Sequence, residues 1–346
     1  MDKDQIKFAK LFHDSKKKAV KQIKTYYHPE CDLPSINSHI LQKNGILSSI
    51  AKDNHLWEHQ INQFKEPRYY FKKTGINEIF SFNCFCKIHD NQLFKKIEGT
   101  EIDFTDYESL LLFTLRTVYN EKFRKEVNIK MLELIIKNGS LRPDQIYFLN
   151  KHIEQEKLGI QDIRNNELDI WFDLKNKTES FVFEVREISQ IELCLSAFYN
   201  YETTLEMNMY RMKYGKDMER VSDIFINLFP YKDKSILLMG YNKKDEDKVK
   251  SYFYTFFKES EKRVQRKITN LFLFACETWV ISEKFYNKNI KGIEDIIAYA
   301  TEHMLKTYNE RQYYPLNFCL DNFKSDMKKW KKRLLTKPIN NTDFGV

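Results

Sequence analysis

The chain has 346 residues, of which 42% are hydrophobic and 31% charged, and its formal net charge is +8. Such a chain can bury a substantial core, and its low counts of nine Gly and seven Pro exclude collagen-like and low-complexity proteins. No apolar run reaches the roughly 20 residues of a membrane helix, and the N-terminus lacks the apolar centre of a signal peptide. We therefore expect no membrane partner and a cytoplasmic location. Six Cys in a chain of this length favour reduced thiols or metal ligands over a disulfide framework.

Positive charge is concentrated at both ends of the chain. Residues 1–100 contain 17 Lys or Arg against 11 Asp or Glu, and residues 324–337 contain seven basic residues against one acid. Basic ends suit an anionic partner such as nucleic acid. The alternative is a Lys-rich surface that only keeps the protein in solution, and charge alone favours this alternative.

The first half of the chain is predicted to be helical at both ends and irregular between them. Residues 3–27 have the apolar spacing of an amphipathic helix with a basic face. Residues 28–98 contain helix-breaking Pro and Gly and several short strand candidates. Thr105 and Glu108 form a capping-box pattern, which predicts a helix over residues 105–138. A second helix is predicted over residues 143–158.

The second half is predicted to form an antiparallel sheet followed by helices. Between residues 180 and 242 the hydrophobic period is two, and two apolar runs flank Pro230-Tyr231-Lys232-Asp233-Lys234, which indicates a hairpin. Further helices are predicted at about 245–260, 261–285, 293–308 and 323–335. Glu277, on the apolar run within 261–285, is predicted to be one half of an ion pair.

Residues 28–90 contain five of the eight His and three of the six Cys. His28-x-x-Cys31 and Cys86-x-x-His89 are pairs that a tight turn brings together. Two such pairs can close a tetrahedral site, with sulfur at about 2.3 Å and nitrogen at about 2.0–2.1 Å from the metal. Mixed thiolate and imidazole ligands suit zinc. The predicted ligands of a structural zinc ion are therefore His28, Cys31, Cys86 and His89.

Two alternatives to this ligand set stay open at the level of sequence. In the first, His39 replaces His28 as the fourth ligand. In the second, no metal is bound, Cys84 and Cys86 are buried thiols, and the His residues are surface or capping residues.

The same segment resembles an HNH, or treble-clef ββα-metal, nuclease. Ser38-His39-Ile40-Leu41 is similar to the strand of that family that carries its His. Asn54 or His55 matches the middle position, and Phe85-Cys86-Lys87-Ile88-His89-Asp90 is similar to the closing element. The segment also resembles one in uncharacterised bacterial proteins that pair an SHxIQ stretch with an FCxxHD stretch.

The nuclease resemblance implies a division of roles. His39 would be the general base that activates water for attack on a phosphodiester. Asp90, together with His55, would hold a Mg²⁺ or Mn²⁺ ion that stabilises the developing charge. The zinc ion would be structural.

The sequence thus predicts an α+β protein in two parts. Residues 1–100 would form a zinc-bound treble-clef-like module with a basic N-terminal helix. Residues 101–346 would form an α+β domain in which a helical layer precedes antiparallel strands at about 180–242 and C-terminal helices.

Two functions are compatible with this organisation. The first is a zinc-containing protein that acts on nucleic acid as an HNH-like metal-dependent nuclease in bacterial antiviral defence. The alternative is a non-enzymatic, zinc-stabilised protein that binds a protein partner or a small ligand. The sequence does not determine the oligomeric state.

Overall fold

The computed structural model describes residues 3–23, 27–200, 222–276, 279–307 and 314–336. Within them the chain is an α+β protein with eleven α-helices and antiparallel sheets, which confirms this part of the predicted fold class. The helices are α1 (Lys3–Gln22), α2 (Ser48–Ile50), α3 (Lys87–Leu93), α4 (Lys95–Glu98), α5 (Tyr107–Lys137), α6 (Pro143–Asn176), α7 (Glu246–Lys258), α8 (Glu261–Asn270), α9 (Glu283–Phe285), α10 (Glu294–Thr307) and α11 (Phe323–Thr336). The strands are β1 (Asn37–His39), β2 (His55–Ile61), β3 (Tyr69–Gly75), β4 (Ser81–Asn83), β5 (Phe181–Ser189), β6 (Leu193–Asn200), β7 (Asp223–Tyr231), β8 (Lys234–Asn242) and β9 (Trp279–Ile281). No helix in these ranges is long and apolar enough to cross a bilayer.

The main sheet has seven strands in the order β3-β2-β9-β6-β7-β8-β5, and every neighbouring pair is antiparallel. The predicted hairpin is confirmed as β7 and β8, which turn at Lys232 with a positive φ of 54°. Side chains of β7 alternate between two cores. Ile224 and Ile226 pack in one hydrophobic cluster, whereas Phe225 and Phe229 pack in the other. The sheet is therefore covered on both faces, which is why β7 is buried along almost its whole length.

Strands from both sides of residue 100 share this sheet. In β2, Trp57 pairs with Ile281 and Glu58 with Val280 of β9, and β9 in turn pairs with β6. The prediction of one helix over residues 261–285 is wrong, because α8 ends at Asn270 and Trp279–Ile281 form a buried strand. A short apolar run can form either a buried helix or a buried strand. Here it forms a strand because it pairs with both β2 and β6.

A helical layer formed by α1, α5 and α6 covers one face of the sheet. The side chains from residue 109 to residue 119 of α5 are all buried, because this helix lies between the sheet and its neighbouring helices. Asp106, rather than the predicted Thr105, caps α5 by accepting a hydrogen bond from the Ser109 amide at 2.9 Å. Helix α6 continues to Asn176, well beyond the predicted end at residue 158.

Candidate metal centre and its surroundings

Backbone pairing brings the two ends of the Cys- and His-rich segment together. The short strands β1 and β4 pair antiparallel, and the residues beside them extend the contact. The Tyr27 amide donates to the Cys84 carbonyl at 3.3 Å, and the Ile36 amide donates to the Phe85 carbonyl at 2.8 Å. Cys31 closes a turn by donating its amide to the His28 carbonyl at 3.3 Å. The turn that carries Cys31 is thus fixed beside the start of α3.

Cys31, Cys86 and His89 converge on one point. Their ligand atoms all lie within 4.8 Å of one another, so the group could hold a metal ion. Cys86 is the N-cap of α3, and its Sγ lies 3.4 Å from Nδ1 of His89. In a tetrahedral site with the bond lengths of zinc, sulfur and nitrogen ligands lie about 3.5 Å apart. The observed separation therefore fits zinc without rearrangement of this pair.

The two thiols of the group differ in their electrostatics. Burial raises the pKa of Cys31, and its hydrogen bond to Cys86 acts in the same direction. Burial also acts to raise the pKa of Cys86, but hydrogen bonds from the His89 amide and from Cys31 hold that pKa below its usual value. The N-terminus of α3 is the physical reason, since its free amides favour a thiolate. The lowered pKa favours the thiolate form of Cys86, which is the form that binds metal ions.

Cys84 has a different role from its neighbour Cys86. Its side chain is fully buried in the hydrophobic core, and burial raises its pKa well above the usual value. Cys84 is therefore a core packing residue, the role that the metal-free alternative assigned to both Cys84 and Cys86.

His28 lies next to the group and is not one of its members. Its ring stacks on that of His89 with a centroid distance of 3.7 Å and an interplanar angle of 2°. Imidazole nitrogens bind metals in the plane of the ring, so two rings stacked in this way do not face one ion. Nδ1 of His28 also accepts a hydrogen bond from the Glu30 amide at 3.2 Å. Burial, followed by the proximity of His89, lowers the pKa of His28.

His39 lies on β1 and is also outside the three-residue group. Its Nε2 lies 2.8 Å from the Ile76 carbonyl oxygen. Because a carbonyl only accepts, this nitrogen carries the proton and Nδ1 keeps a lone pair. Burial lowers the pKa of His39 more than the hydrogen bond to Ile76 raises it, with Lys43 and Arg116 adding to the decrease. His39 is therefore a neutral imidazole with one basic nitrogen at pH 7.

Among the described residues, Asp90 lies beside the buried guanidinium of Arg116 rather than at a metal-binding position. Its Oδ1 lies 4.0 Å from Nη2 of Arg116, a residue of α5 that is 2% exposed. Nη1 of Arg116 lies 2.5 Å from Glu98, and the guanidinium covers the Phe94 ring at 4.0 Å. Oδ1 of Asp90 and Nε of Arg116 are buried and lack a hydrogen-bond partner among the described residues.

The Arg116 cluster was not among the predictions made from the sequence. The signal in the sequence was a charged residue inside the otherwise uncharged run 109–119, where every side chain is buried. A charge at such a position requires a partner.

His55 begins β2, so it belongs to the main sheet. Its Nδ1 lies 2.6 Å from the carbonyl oxygen of Asp53, and the side chain is exposed. The neighbouring Asn54 carbonyl accepts from the Ile76 amide at 2.9 Å, and Ile76 in turn binds the ring of His39. The segment at residues 54–55 is therefore connected to His39 through one residue, Ile76. Within the described residues His39, His55 and Asp90 do not form a metal-binding group, and Glu277 lies outside those residues.

A groove of about 1150 Å³ borders the metal-binding group. It lies between residues 27–31 and α6. Arg164, Lys175 and Trp171 contribute cationic and aromatic surface, and Leu168 and Phe172 on its wall are more than half exposed. No family model matches this sequence, and neither a curated protein nor a solved structure matches it.

Proposed function

We propose that this chain is a zinc-stabilised protein that acts on nucleic acid, with His39 as the base of an HNH-like phosphodiester hydrolysis. The observation that carries the proposal is the position of His39. It lies on the first strand of a unit, β1, β4 and α3, whose helix supplies Cys86 and His89. Its ring is fixed by a backbone carbonyl while the other nitrogen is free to accept a proton.

Zinc would be held by Cys31, Cys86 and His89. Bound zinc would lock the turn at residues 28–31 onto the start of α3, so that binding energy acts as folding energy. His28 would not be a ligand, because its ring is stacked on that of His89.

In the proposed reaction Nδ1 of His39 takes a proton from water as the water oxygen attacks phosphorus. The ester P–O bond breaks, and the leaving oxygen takes a proton from solvent. The lowered pKa of His39 keeps the base in its neutral form at pH 7. The charged group beside the Asp90 carboxylate is the Arg116 guanidinium, so no group of ligands among the described residues supports a Mg²⁺ or Mn²⁺ ion at Asp90. The proposed reaction does not require that ion.

The groove beside the zinc group supports nucleic acid as the substrate. Trp171 and Phe172 offer faces on which bases can stack, and Arg164 and Lys175 are exposed cations that can contact phosphates. Neither cation is paired with an acid in the described part of the chain.

His39→Ala is expected to reduce hydrolysis of DNA or RNA by at least about 100-fold, the usual minimum for loss of a general base. The assay follows cleavage of plasmid, single-stranded DNA and RNA with Mg²⁺, with Mn²⁺ and with chelator. His39→Asn should be equally inactive while keeping a donor for the Ile76 carbonyl. Lys137→Ala, a change of an exposed residue at the end of α5, should cleave like the wild type.

The pH dependence provides a further readout of the same variant set. Because folding lowers the pKa of His39 below 6.5, the rate should stay level at neutral pH and fall only below pH 6.5. Cleavage by His39→Ala at the wild-type rate would remove His39 from the mechanism.

A non-enzymatic role is the second candidate, and the exposed apolar residues Leu168 and Phe172 favour it. Zinc-loaded protein that shows neither cleavage nor salt-dependent binding to nucleic acid would support a protein-binding function instead.

A further inference from the structure

A second cavity, of about 880 Å³, lies between α1, α5, α6 and strand β6. Cys31, Cys86 and His89 do not line it, so it is separate from the zinc group. Its volume is in the upper part of the range of about 300–1,000 Å³ that is typical of ligand sites. Charged and amide side chains line it together with aromatic rings.

Among the described residues, the cavity contains a cation that forms no ion pair with an acid. Arg124 pairs with Glu121 at 3.1 Å, and Lys125 pairs with Glu121 at 3.5 Å and with Glu156 at 3.2 Å. Lys16, from α1, forms no ion pair within the described residues. The acids of the cavity wall are thus already engaged, and the charge of Lys16 is available to a ligand.

The positive charges of Lys16 and Arg124 also repel each other. Burial lowers the pKa of Lys16, and the charge of Arg124 lowers it further, while Glu58 offsets part of the decrease. An anion between the two cations would remove this repulsion. Phosphate is an anion that both Arg and Lys bind in proteins.

Aromatic and amide groups line the same cavity. Phe8 and Phe12 line it from α1, and Phe64 contacts them with ring centroids at 5.9 and 5.2 Å. Asn120 and Asn128 face it from α5. Aromatic rings can stack on a base, and amides can bind its polar edge.

We infer that this cavity binds a nucleoside phosphate, with the phosphate between Lys16 and Arg124 and the base against Phe8 and Phe12. This inference is independent of the proposed hydrolysis, because it uses none of the residues of the zinc group or of the His39 site. The ligand could be a free nucleotide or the end of a nucleic-acid strand, which share this chemistry.

Calorimetric titration of the purified 346-residue chain with ATP, AMP, adenosine and inorganic phosphate tests the inference. ATP and AMP should bind, and adenosine and phosphate alone should each bind at least about tenfold more weakly than AMP. A 5′-phosphorylated dinucleotide distinguishes the sources: tighter binding than AMP indicates a strand end, and weaker binding indicates a free nucleotide.

Lys16→Ala should weaken ATP binding at least about tenfold, as expected for loss of one charge-assisted contact. Lys17→Ala removes the same charge from the adjacent residue of α1, which does not line the cavity, and should bind ATP within twofold of the wild type. Three results would overturn the inference: no heat with any nucleotide at millimolar concentration, equal affinity in Lys16→Ala, or an equal loss in Lys17→Ala. Lys16→Gln is the substitute variant if Lys16→Ala does not fold.

Discussion

Cys86→Ser is expected to abolish stoichiometric zinc binding and to lower the free energy of unfolding by about 4 kcal/mol. Zinc contributes about 10–16 kcal/mol in small zinc domains, but only part of this chain depends on the site. Backbone hydrogen bonds already hold residues 27 and 36 beside residues 84 and 85. Zinc content and urea unfolding, each with and without chelator, measure the effect.

Two variants serve as controls for Cys86→Ser. Cys84→Ser makes the same exchange at a core thiol two residues away, and it should retain its zinc. His28→Ala should also retain zinc, because His28 is stacked on His89 rather than directed at the group. If Cys86→Ser keeps the wild-type zinc content, Cys86 is not a ligand.

Arg116→Ala is expected to destabilise the protein by about 3–5 kcal/mol, the usual cost of removing one partner of a buried ion pair. The change leaves the Asp90 carboxylate without its neighbouring cation and uncovers the Phe94 ring. The free energy of unfolding of Arg116→Lys should lie between those of the wild type and Arg116→Ala, since lysine keeps the charge but not the planar contacts. Urea unfolding at pH 7 measures the free energy of unfolding of the wild type, Arg116→Ala and Arg116→Lys.

Lys151→Ala provides the matched surface control for Arg116→Ala. Lys151 pairs with Glu154 at 2.9 Å, but both side chains are more than half exposed. Its loss should cost less than about 1 kcal/mol. An Arg116→Ala protein as stable as Lys151→Ala would show that the cluster of Asp90, Glu98 and Arg116 does not stabilise the fold.

The two halves of the metal-binding group were predictable because each half is local. A turn of four residues fixes Cys31 relative to His28, and the N-cap position fixes Cys86 relative to His89. The spacing of Cys86-x-x-His89 before a helical pattern carries this information. The side-chain orientations are set by distant residues, so the stacking of His28 on His89 and the hydrogen bond of His39 could not be predicted.

The α+β class and the hairpin of β7 and β8 were predictable because two apolar runs of strand length flank a turn-forming segment. The strand at residues 279–281 was not. Its apolar residues suit a buried helix as well as a buried strand, and the choice depends on the free edges of β2 and β6. The length of α6 likewise depends on distant contacts, such as the bond from the Trp171 indole to the Tyr119 hydroxyl at 2.6 Å.

The zinc content of the purified wild-type chain is the most direct test of the proposed zinc site. Elemental analysis of protein prepared without chelators, and of protein resupplied with zinc and then desalted, should give one zinc ion per chain. Cys31→Ser prepared in the same way should give none. Wild-type protein that contains no zinc in both preparations would contradict the site formed by Cys31, Cys86 and His89.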